Sequence, residues 1–136
     1  MSSSTADIAC AEGAFSILCT LLQDSALLDD LSDGLWTVFA PSNAAFDDAP
    51  PFSSDTDIEE VLLGHVVANA EINFEDLECK KLIEMTNGKN TRTVCKNGIT
   101  YQNGRGNDDD RRPEIVESNI MACNGIVHVV DQVILP

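Results

Sequence analysis

The stretch "LWTVFAPSNAAF", residues 35–46, decides the fold because it changes from one kind of secondary structure to another within two residues. Its first half, residues 35–40, is rich in aromatic and β-branched side chains and predicts a buried strand. Pro41 ends the predicted strand, because proline has no amide hydrogen to donate to a sheet. Ser42 or Asn43 then caps a short helix whose apolar side chains return to the core. We therefore predict a strand-to-helix corner that ties both elements to one interior.

The segments on either side of this corner differ in their periodicity. Upstream, apolar residues recur at helical spacing between residues 13 and 31, which predicts two amphipathic helices. Downstream, Thr56 and Glu59 form a capping box ahead of a helix whose apolar face extends to His65. Five short β-like runs follow, separated by Asn-Gly pairs and a polar loop: KLIEMT, RTVCK, ITYQ, EIVESNIMAC and GIVHVVDQVILP. Helices first and a largely antiparallel sheet afterwards indicate an α+β domain.

The composition is that of an ordinary globular domain. The chain has 136 residues, of which 43% are hydrophobic and 23% charged, so one sizeable core is expected. We expect a single domain over residues 1–136, with residues 1–6 a disordered or artificially added N-terminus that lacks the features of a secretion signal. The longest uncharged apolar run, residues 126–130, is too short to cross a bilayer, so no membrane insertion is expected.

The charge balance restricts the partners. Eight basic residues against twenty-three acidic ones give a net charge of -15. A chain this acidic repels phosphate backbones and anionic lipid surfaces, so nucleic acid is not expected as a partner. Cationic surfaces, basic polymers and divalent cations are electrostatically easier to bind.

The cysteines indicate disulfides in preference to a metal site. Five cysteines, at positions 10, 19, 79, 95 and 123, include no CxxC pair and lie far in sequence from both histidines. An oxidising compartment would allow two disulfides and one free thiol, with fifteen pairings open. Cys19 falls on the apolar face of the first helix, so we interpret it as the free, buried thiol. Cys79 and Cys95 flank a predicted hairpin at Asn87-Gly88, where a cross-strand disulfide fits.

Three segments together resemble a known family. The runs "TVFAPSNAAF" at 37–46 and "NGIVHVVDQVILP" at 124–136 are similar to the two signature segments of the fasciclin domain, and they lie about ninety residues apart, as in that family. The run "LLGHVV" at 62–67 resembles the family's middle segment. The resemblance implies a wedge-like β-sandwich of about seven strands with N-terminal helices packed on one side. It also implies that the two signature segments are neighbouring strands of the core.

The same resemblance implies a function and a set of site residues. Fasciclin domains are usually parts of secreted or surface-anchored proteins that mediate adhesion. Many members carry a tyrosine before the histidine of the middle segment, a pair connected there with integrin binding, whereas this chain has Gly64 before His65. The family's other adhesion-linked dipeptide, just before the last signature segment, is matched by Asn119-Ile120. The partner-binding residues implied are therefore Asn119, Ile120 and His65.

Catalysis has little support in the residues. His65 and His128 are the only imidazoles, and both stand in apolar surroundings that indicate core histidines. No nucleophile elbow, zinc-protease, P-loop or dinucleotide-binding motif is present. We therefore expect no enzyme activity, no catalytic residues and no cofactor.

The leading hypothesis is a noncatalytic extracellular adhesion or matrix-interaction module, secreted or anchored at the cell surface as part of a longer protein. Its expected partners are a cell-surface receptor or an extracellular protein or polysaccharide, with self-association as a further route to multivalent contact. The alternative is a secreted domain that binds a small ligand or calcium through acidic loops, whose carboxylates are hard oxygen ligands. Because neither loop has the EF-hand spacing, we assign no metal site. The acidic side chains in question are Asp47, Asp48, Asp55, Asp57, Glu59, Glu60, Asp108, Asp109 and Asp110.

Overall fold

The structure is a computed structural model that describes residues 10, 15–24, 34–48, 60–68, 71–86, 88–104, 107, 112–122 and 124–134. Two α-helices and seven strands are bounded within these ranges, together with a 3₁₀ turn at Phe74–Asp76. In chain order they are α1 Ser16–Asp24, β1 Trp36–Pro41, α2 Asn43–Asp48, β2 Val66–Ala68, β3 Leu82–Glu84, β4 Asn90–Lys96, β5 Ile99–Asn103, β6 Ile115–Ala122 and β7 Gly125–Val130.

The first and last strands are the centre of a four-stranded sheet in the order β2-β1-β7-β6. β1 and β7 run parallel, in register from Trp36 opposite Gly125 to Pro41 opposite Val130. Every residue of β7 and all but the first of β1 are buried, as is typical of strands covered on both faces. The expectation that the two signature segments are neighbouring core strands is confirmed.

Gly125 permits the close approach that starts this parallel pair. Its φ is +154°, and a Cβ at this position would lie 1.8 Å from the backbone oxygen of Trp36. No side chain fits in that space, so the glycine of the "NGIVHVV" segment is required by the strand pairing itself.

The remaining strands form a separate three-stranded antiparallel sheet in the order β3-β4-β5. The Asn97-Gly98 pair forms its tight turn, with φ of +56° and +80° and with Lys96 opposite Ile99. Two central residues at positive φ between antiparallel strands are the signature of a type I′ hairpin. The strands thus divide between two sheets, as the resemblance to a β-sandwich implied, and the pairing is largely antiparallel as predicted, with β1 and β7 as the one parallel pair among the described strands.

The corner after β1 is built as predicted, with one adjustment. Pro41 lies inside the strand, opposite Val130, and the helix α2 begins two residues later. The Ala45 amide donates to the Ser42 hydroxyl at 3.4 Å, so Ser42 is the cap. The Ile17 amide donates to Asn43 Oδ1 at 3.0 Å, which joins α1 to the corner.

The main core lies where α1 meets the four-stranded sheet. Its buried residues are Phe15, Leu18, Leu22, Val38, Ala40, Leu62, Val66, Val127 and Val129. This confirms the N-terminal helix packed on one side. The second predicted helix, towards residue 31, lies outside the described residues, as do residues 1–6.

The helix expected to extend to His65 ends earlier. Residues 60–63 are helical, Gly64 and His65 form a turn, and β2 follows directly. The turn is closed by the His65 amide, which donates to the Leu62 carbonyl at 3.0 Å. Helical spacing alone could not separate this turn and three-residue strand from the helix before them. The predicted capping box at Thr56 and Glu59 lies outside the described residues.

Two disulfides are present in the described residues. Cys79 and Cys95 are bonded, which is the pairing that the hairpin between them suggested. The interpretation of Cys19 as a free thiol is wrong, because its sulfur bonds Cys10, nine residues earlier. Position 19 lies on the half-buried flank of α1, where a preceding segment reaches it. Cys123 lies outside the described residues.

Candidate partner-binding site at the Asn119 bulge

Strand β6, at one edge of the four-stranded sheet, is irregular where the sequence indicated a partner-binding dipeptide. Glu117 lies opposite Val129 and Ile120 opposite Val127, so β6 uses three residue steps where β7 uses two. The additional residue makes a β-bulge, and within it Asn119 has a φ of +57°. Asparagine tolerates this left-handed conformation better than most residues, because its short polar side chain bonds locally.

The side chain of Asn119 joins the bulge to the segment before β3. Its Oδ1 accepts from the Phe74 amide at 2.8 Å. Its Nδ2 donates to the Glu75 carboxylate, at 2.9 Å to Oε1 and 3.2 Å to Oε2. Asn119 is therefore a bridge between β6 and the 3₁₀ turn, and Glu75 is the charged group that stands beside it.

His128, on the neighbouring strand β7, holds the bulge in place. Its Nδ1 accepts from the Asn119 amide at 3.1 Å, and its Nε2 lies 2.7 Å from the Ile72 carbonyl. Since a carbonyl only accepts, Nε2 carries the proton and the imidazole is neutral. Burial lowers the pKa of His128, with the Ile72 carbonyl and the Glu75 charge opposing that shift. The expectation of a core histidine is met by a ring that is 0% exposed.

Ile120 and its neighbours divide between interior and surface. Ile120 is half-buried and packs against the main core. Val116 and Met121 on the same strand are 54% and 61% exposed. Residues five apart in a regular strand face opposite sides of the sheet, and the additional residue of the bulge shifts that alternation. An edge strand with two large apolar side chains in water is a candidate contact surface.

His65 lies elsewhere. It precedes β2, at the opposite edge of the four-stranded sheet from β6, about 14 Å away over three strand spacings. The side chain is 1% exposed, Nδ1 donates to the Val61 carbonyl at 2.7 Å, and Nε2 accepts from the Ile134 amide at 2.8 Å. Burial lowers the pKa of His65 to about 4 despite the Val61 bond. The structure does not bring His65 together with Asn119 and Ile120, and a partner-binding role for it stays a prediction.

The two imidazoles and the acidic loops were the other candidates for chemistry. Both histidines are bonded to backbone groups, in opposite tautomers, and these bonds orient neither ring towards a hydroxyl or thiol. Most of the carboxylates proposed for calcium lie outside the described residues. Among the residues that are described, no group of three or more histidine, cysteine or acidic side chains could hold a metal ion.

Comparison with known proteins agrees with this architecture. The family model described as "Fasciclin domain" matches residues 13–136, which is most of the chain. The chain belongs to the fasciclin domain family. This family is one of adhesion modules, and the sequence-based resemblance and the α+β fold with two sheets are confirmed.

Individual relatives of this fasciclin domain differ in size. Uncharacterized protein sll1735 of Synechocystis sp. is 32% identical, with 95% of each chain covered. Transforming growth factor-beta-induced protein ig-h3 of Sus scrofa is 25% identical over 96% of this chain and 19% of its own length. A solved FAS1 domain pair from the insect cell adhesion molecule Fasciclin I has a TM-score of 0.69 and 18% identity, over 90% of this chain and 45% of that one.

Sequence reasoning singled out Asn119 and Ile120, whose partner-binding role stays a prediction, but it missed the residues that surround them. Phe74, Glu75 and His128 meet the bulge from segments about 45 and 9 residues away, a contact that no local pattern reports. The broken alternation of β6 was the available signal, because a strand with an interrupted period of two is typical of a bulge. No helix in the described ranges has the length and apolar character needed to span a membrane.

Proposed function

We propose that residues 1–136 form a single fasciclin-like domain that acts as a noncatalytic extracellular adhesion or matrix-interaction module. Its contact surface is strand β6, with the Asn119 bulge at its centre. Membership of an adhesion-module family supports the general class. The two disulfides support an oxidising, extracellular setting, because such bonds persist there and are rare in the cytosol.

The observation that carries the proposal is the combination of exposure and rigidity on β6. Val116 and Met121 offer apolar area to a partner, and the bulge between them is held by Asn119 and His128. A rigid backbone loses little conformational freedom on binding, so more of the contact energy of these two side chains remains as affinity. In this proposal Asn119 sets the shape of the surface, Ile120 anchors it to the core, and Val116 and Met121 make the contacts.

The experiment is attachment of cells and of matrix proteins and polysaccharides to the immobilised domain. The variant Val116→Ser with Met121→Ser removes the exposed side chains and leaves the bulge intact. Attachment to the partner found in the screen is expected to fall at least tenfold, because the minority of interface residues that contribute more than 1 kcal/mol, about a fivefold effect each, cluster at the centre, where these two side chains are proposed to lie.

The matched control is Ile99→Ser, which removes an exposed apolar side chain from the other sheet. It is expected to leave attachment within twofold of the unmodified domain. Asn119→Ala tests the shaping role, and reduced attachment with the fold retained is expected. Unchanged attachment in the Val116→Ser, Met121→Ser variant would show that β6 is not the contact surface. Absence of attachment to every cell and matrix component would refute the adhesion function.

A further inference from the structure

The positive charge of this acidic chain is confined to one segment. Residues 80–112 contain all eight basic side chains and four acidic ones, a net of +4, whereas the rest of the chain has nineteen acidic side chains and no basic one. That segment supplies the three-stranded sheet and its loops. The three-stranded sheet is therefore a place where an anion meets attraction in place of repulsion.

A cavity of about 330 Å³ lies on this sheet, lined by Leu82, Asn90, Arg92, Asn103 and Gly104. The strand register explains the grouping. Arg92 on the central strand lies opposite Leu82 on one neighbour and opposite Asn103 on the other. Three directly opposed residues form a row across the sheet, with about 5 Å between successive Cβ atoms.

The polar groups of the cavity have capacity left for a ligand. Arg92 is exposed and forms no ion pair with any residue of the described ranges, unlike Lys81, which pairs with Glu78 at 2.7 Å. Asn103 Oδ1 is buried and has no hydrogen-bond partner among the described residues. Buried acceptors are almost always bonded, so an unpaired one beside a cavity points to a donor that comes from a ligand or solvent. Leu82, 55% exposed, supplies an apolar wall.

We propose that this cavity binds a carboxylate-bearing sugar, a uronate unit of an acidic polysaccharide. The guanidinium of Arg92 matches a carboxylate in a two-point contact. A carboxylate only accepts hydrogen bonds and cannot satisfy the unpaired oxygen of Asn103, whereas the hydroxyls of the same sugar can donate to it. Asn90 offers a second amide to the hydroxyls, and the apolar face of a sugar ring packs on Leu82. An acidic peptide supplies the anion and N–H donors, but it has no sugar ring to pack on Leu82.

This site is independent of the contact surface proposed above, since β6 belongs to the other sheet. Either proposal therefore stands if the other fails. A domain with both surfaces would have two modes of contact with its surroundings, which raises avidity when both are engaged.

The test is a titration with trigalacturonate at low ionic strength. Binding is measured by isothermal titration calorimetry and by changes in the amide chemical shifts. Saturable binding is expected, with shifts concentrated at residues 82, 90, 92 and 103. Arg92→Gln is expected to raise Kd at least tenfold, and Asn103→Leu at least threefold. Arg92→Lys keeps the charge but loses the planar fork, so an intermediate Kd is expected. Thermal melting verifies that each variant is folded.

The matched control is Lys81→Gln, which changes the net charge by the same amount on a lysine that does not line the cavity. It is expected to leave Kd within twofold. Equal weakening by Arg92→Gln and Lys81→Gln would overturn the site, because binding would then depend only on overall charge. Maltotriose is expected not to bind, and tetraglutamate is expected to bind at least tenfold more weakly. Equal binding of either of them, or no binding of trigalacturonate at millimolar concentration, would overturn the uronate assignment.

Discussion

The two sheets of this domain are stabilised in different ways. The four-stranded sheet has at its centre β1 and β7, which are buried almost completely and pair in parallel. The three-stranded sheet alternates between buried and exposed positions and is closed by the Cys79–Cys95 disulfide. Its interior face carries Thr91, Thr93 and Gln102, which bond one another. The centre of one sheet is therefore almost wholly apolar, whereas the other sheet combines a covalent link with a polar network.

This difference separates architecture from surface chemistry. Nearly every side chain of β1 and β7 is in the interior, so substitutions there act first on the fold. The exposed face of the three-stranded sheet carries basic, amide and apolar side chains whose replacement costs little stability. Recognition is therefore free to vary on that sheet without loss of the domain, and the substitutions below measure how far the two sheets differ.

The largest effect is expected from Gly125→Ala. The new Cβ would lie 1.8 Å from the Trp36 oxygen, and that atom belongs to the backbone of β1. Relief requires the two central strands to separate, which costs about 5 kcal/mol or more, comparable with the whole stability of a small domain. Urea denaturation is expected to show an unfolded or barely folded protein.

Gly98→Ala is the control for this change, because Gly98 is also at positive φ but has nothing within 4 Å of an added Cβ. Only the conformational cost remains, about 1 kcal/mol. Similar losses in the two variants would show that backbone conformation, and not close packing of β1 on β7, makes Gly125 necessary.

The next largest effect is expected from His65→Leu. The variant leaves the Val61 carbonyl and the Ile134 amide buried without their partner, a loss of about 3 to 4 kcal/mol at pH 7. The loss depends on pH because burial lowers the pKa of His65 from 6.5 to about 4. Between these values the unfolded chain binds the proton and the folded chain does not, so the stability that His65 provides falls as the pH falls.

The difference in unfolding free energy between the original domain and His65→Leu therefore has its largest value above pH 6.5. It is expected to shrink by about 3 kcal/mol by pH 4, at 1.36 kcal/mol per pKa unit. Urea denaturation at half-unit steps of pH measures it, and the carboxylates common to both proteins cancel in the comparison. A difference that stays constant from pH 7.5 to 4 would contradict the neutral, buried imidazole.

A third effect is expected from Cys79→Ser with Cys95→Ser. The disulfide spans 16 residues, and its removal frees that loop in the unfolded chain, a loss of about 3 kcal/mol. Hydrogen exchange is expected to accelerate in β4 and β5 while β1 and β7 keep their protection. Cys10→Ser with Cys19→Ser, which opens a separation of 9, is expected to cost slightly less and to leave β4 and β5 unchanged. Equal acceleration in both sheets would show that they unfold as one unit.

The sequence predicted local structure well where a single residue type imposes the conformation. The Ser42 cap and the Asn97-Gly98 turn follow from side-chain chemistry and positive φ within two residues. The division into two sheets did not follow, because pairing of β1 with β7 joins segments almost ninety residues apart. The pairing of β1 with β7 was predicted only through the family resemblance. The assignment of Cys19 as a free thiol was wrong because helical periodicity carries no information about the segment that precedes the helix.

The candidate sites divide in the same way. Asn119 and Ile120 were identified from the sequence, but the bonds of Asn119 to Phe74 and Glu75 arise only in the folded chain. The cavity on the three-stranded sheet went unnoticed, although the confinement of every basic residue to 80–112 was visible in the sequence. The net charge of the chain did not indicate this cluster of basic residues, because a sum over the chain carries no information about where the charges lie.

The smallest effect is expected in the polar network, and the size of the stability loss depends on how many members are replaced. Thr93 donates to Gln102 Oε1 at 2.8 Å, and Gln102 Nε2 donates to the Thr91 hydroxyl at 2.7 Å. Gln102→Met alone leaves two buried hydroxyls without these partners, at a cost of about 1 to 2 kcal/mol. Adding Thr91→Val and Thr93→Val removes the unpaired groups with little change in shape, so urea denaturation is expected to show most of the loss recovered. A triple variant no more stable than Gln102→Met would mean that the loss comes from the missing hydrogen bonds and not from unpaired hydroxyls, so that the network itself stabilises the three-stranded sheet.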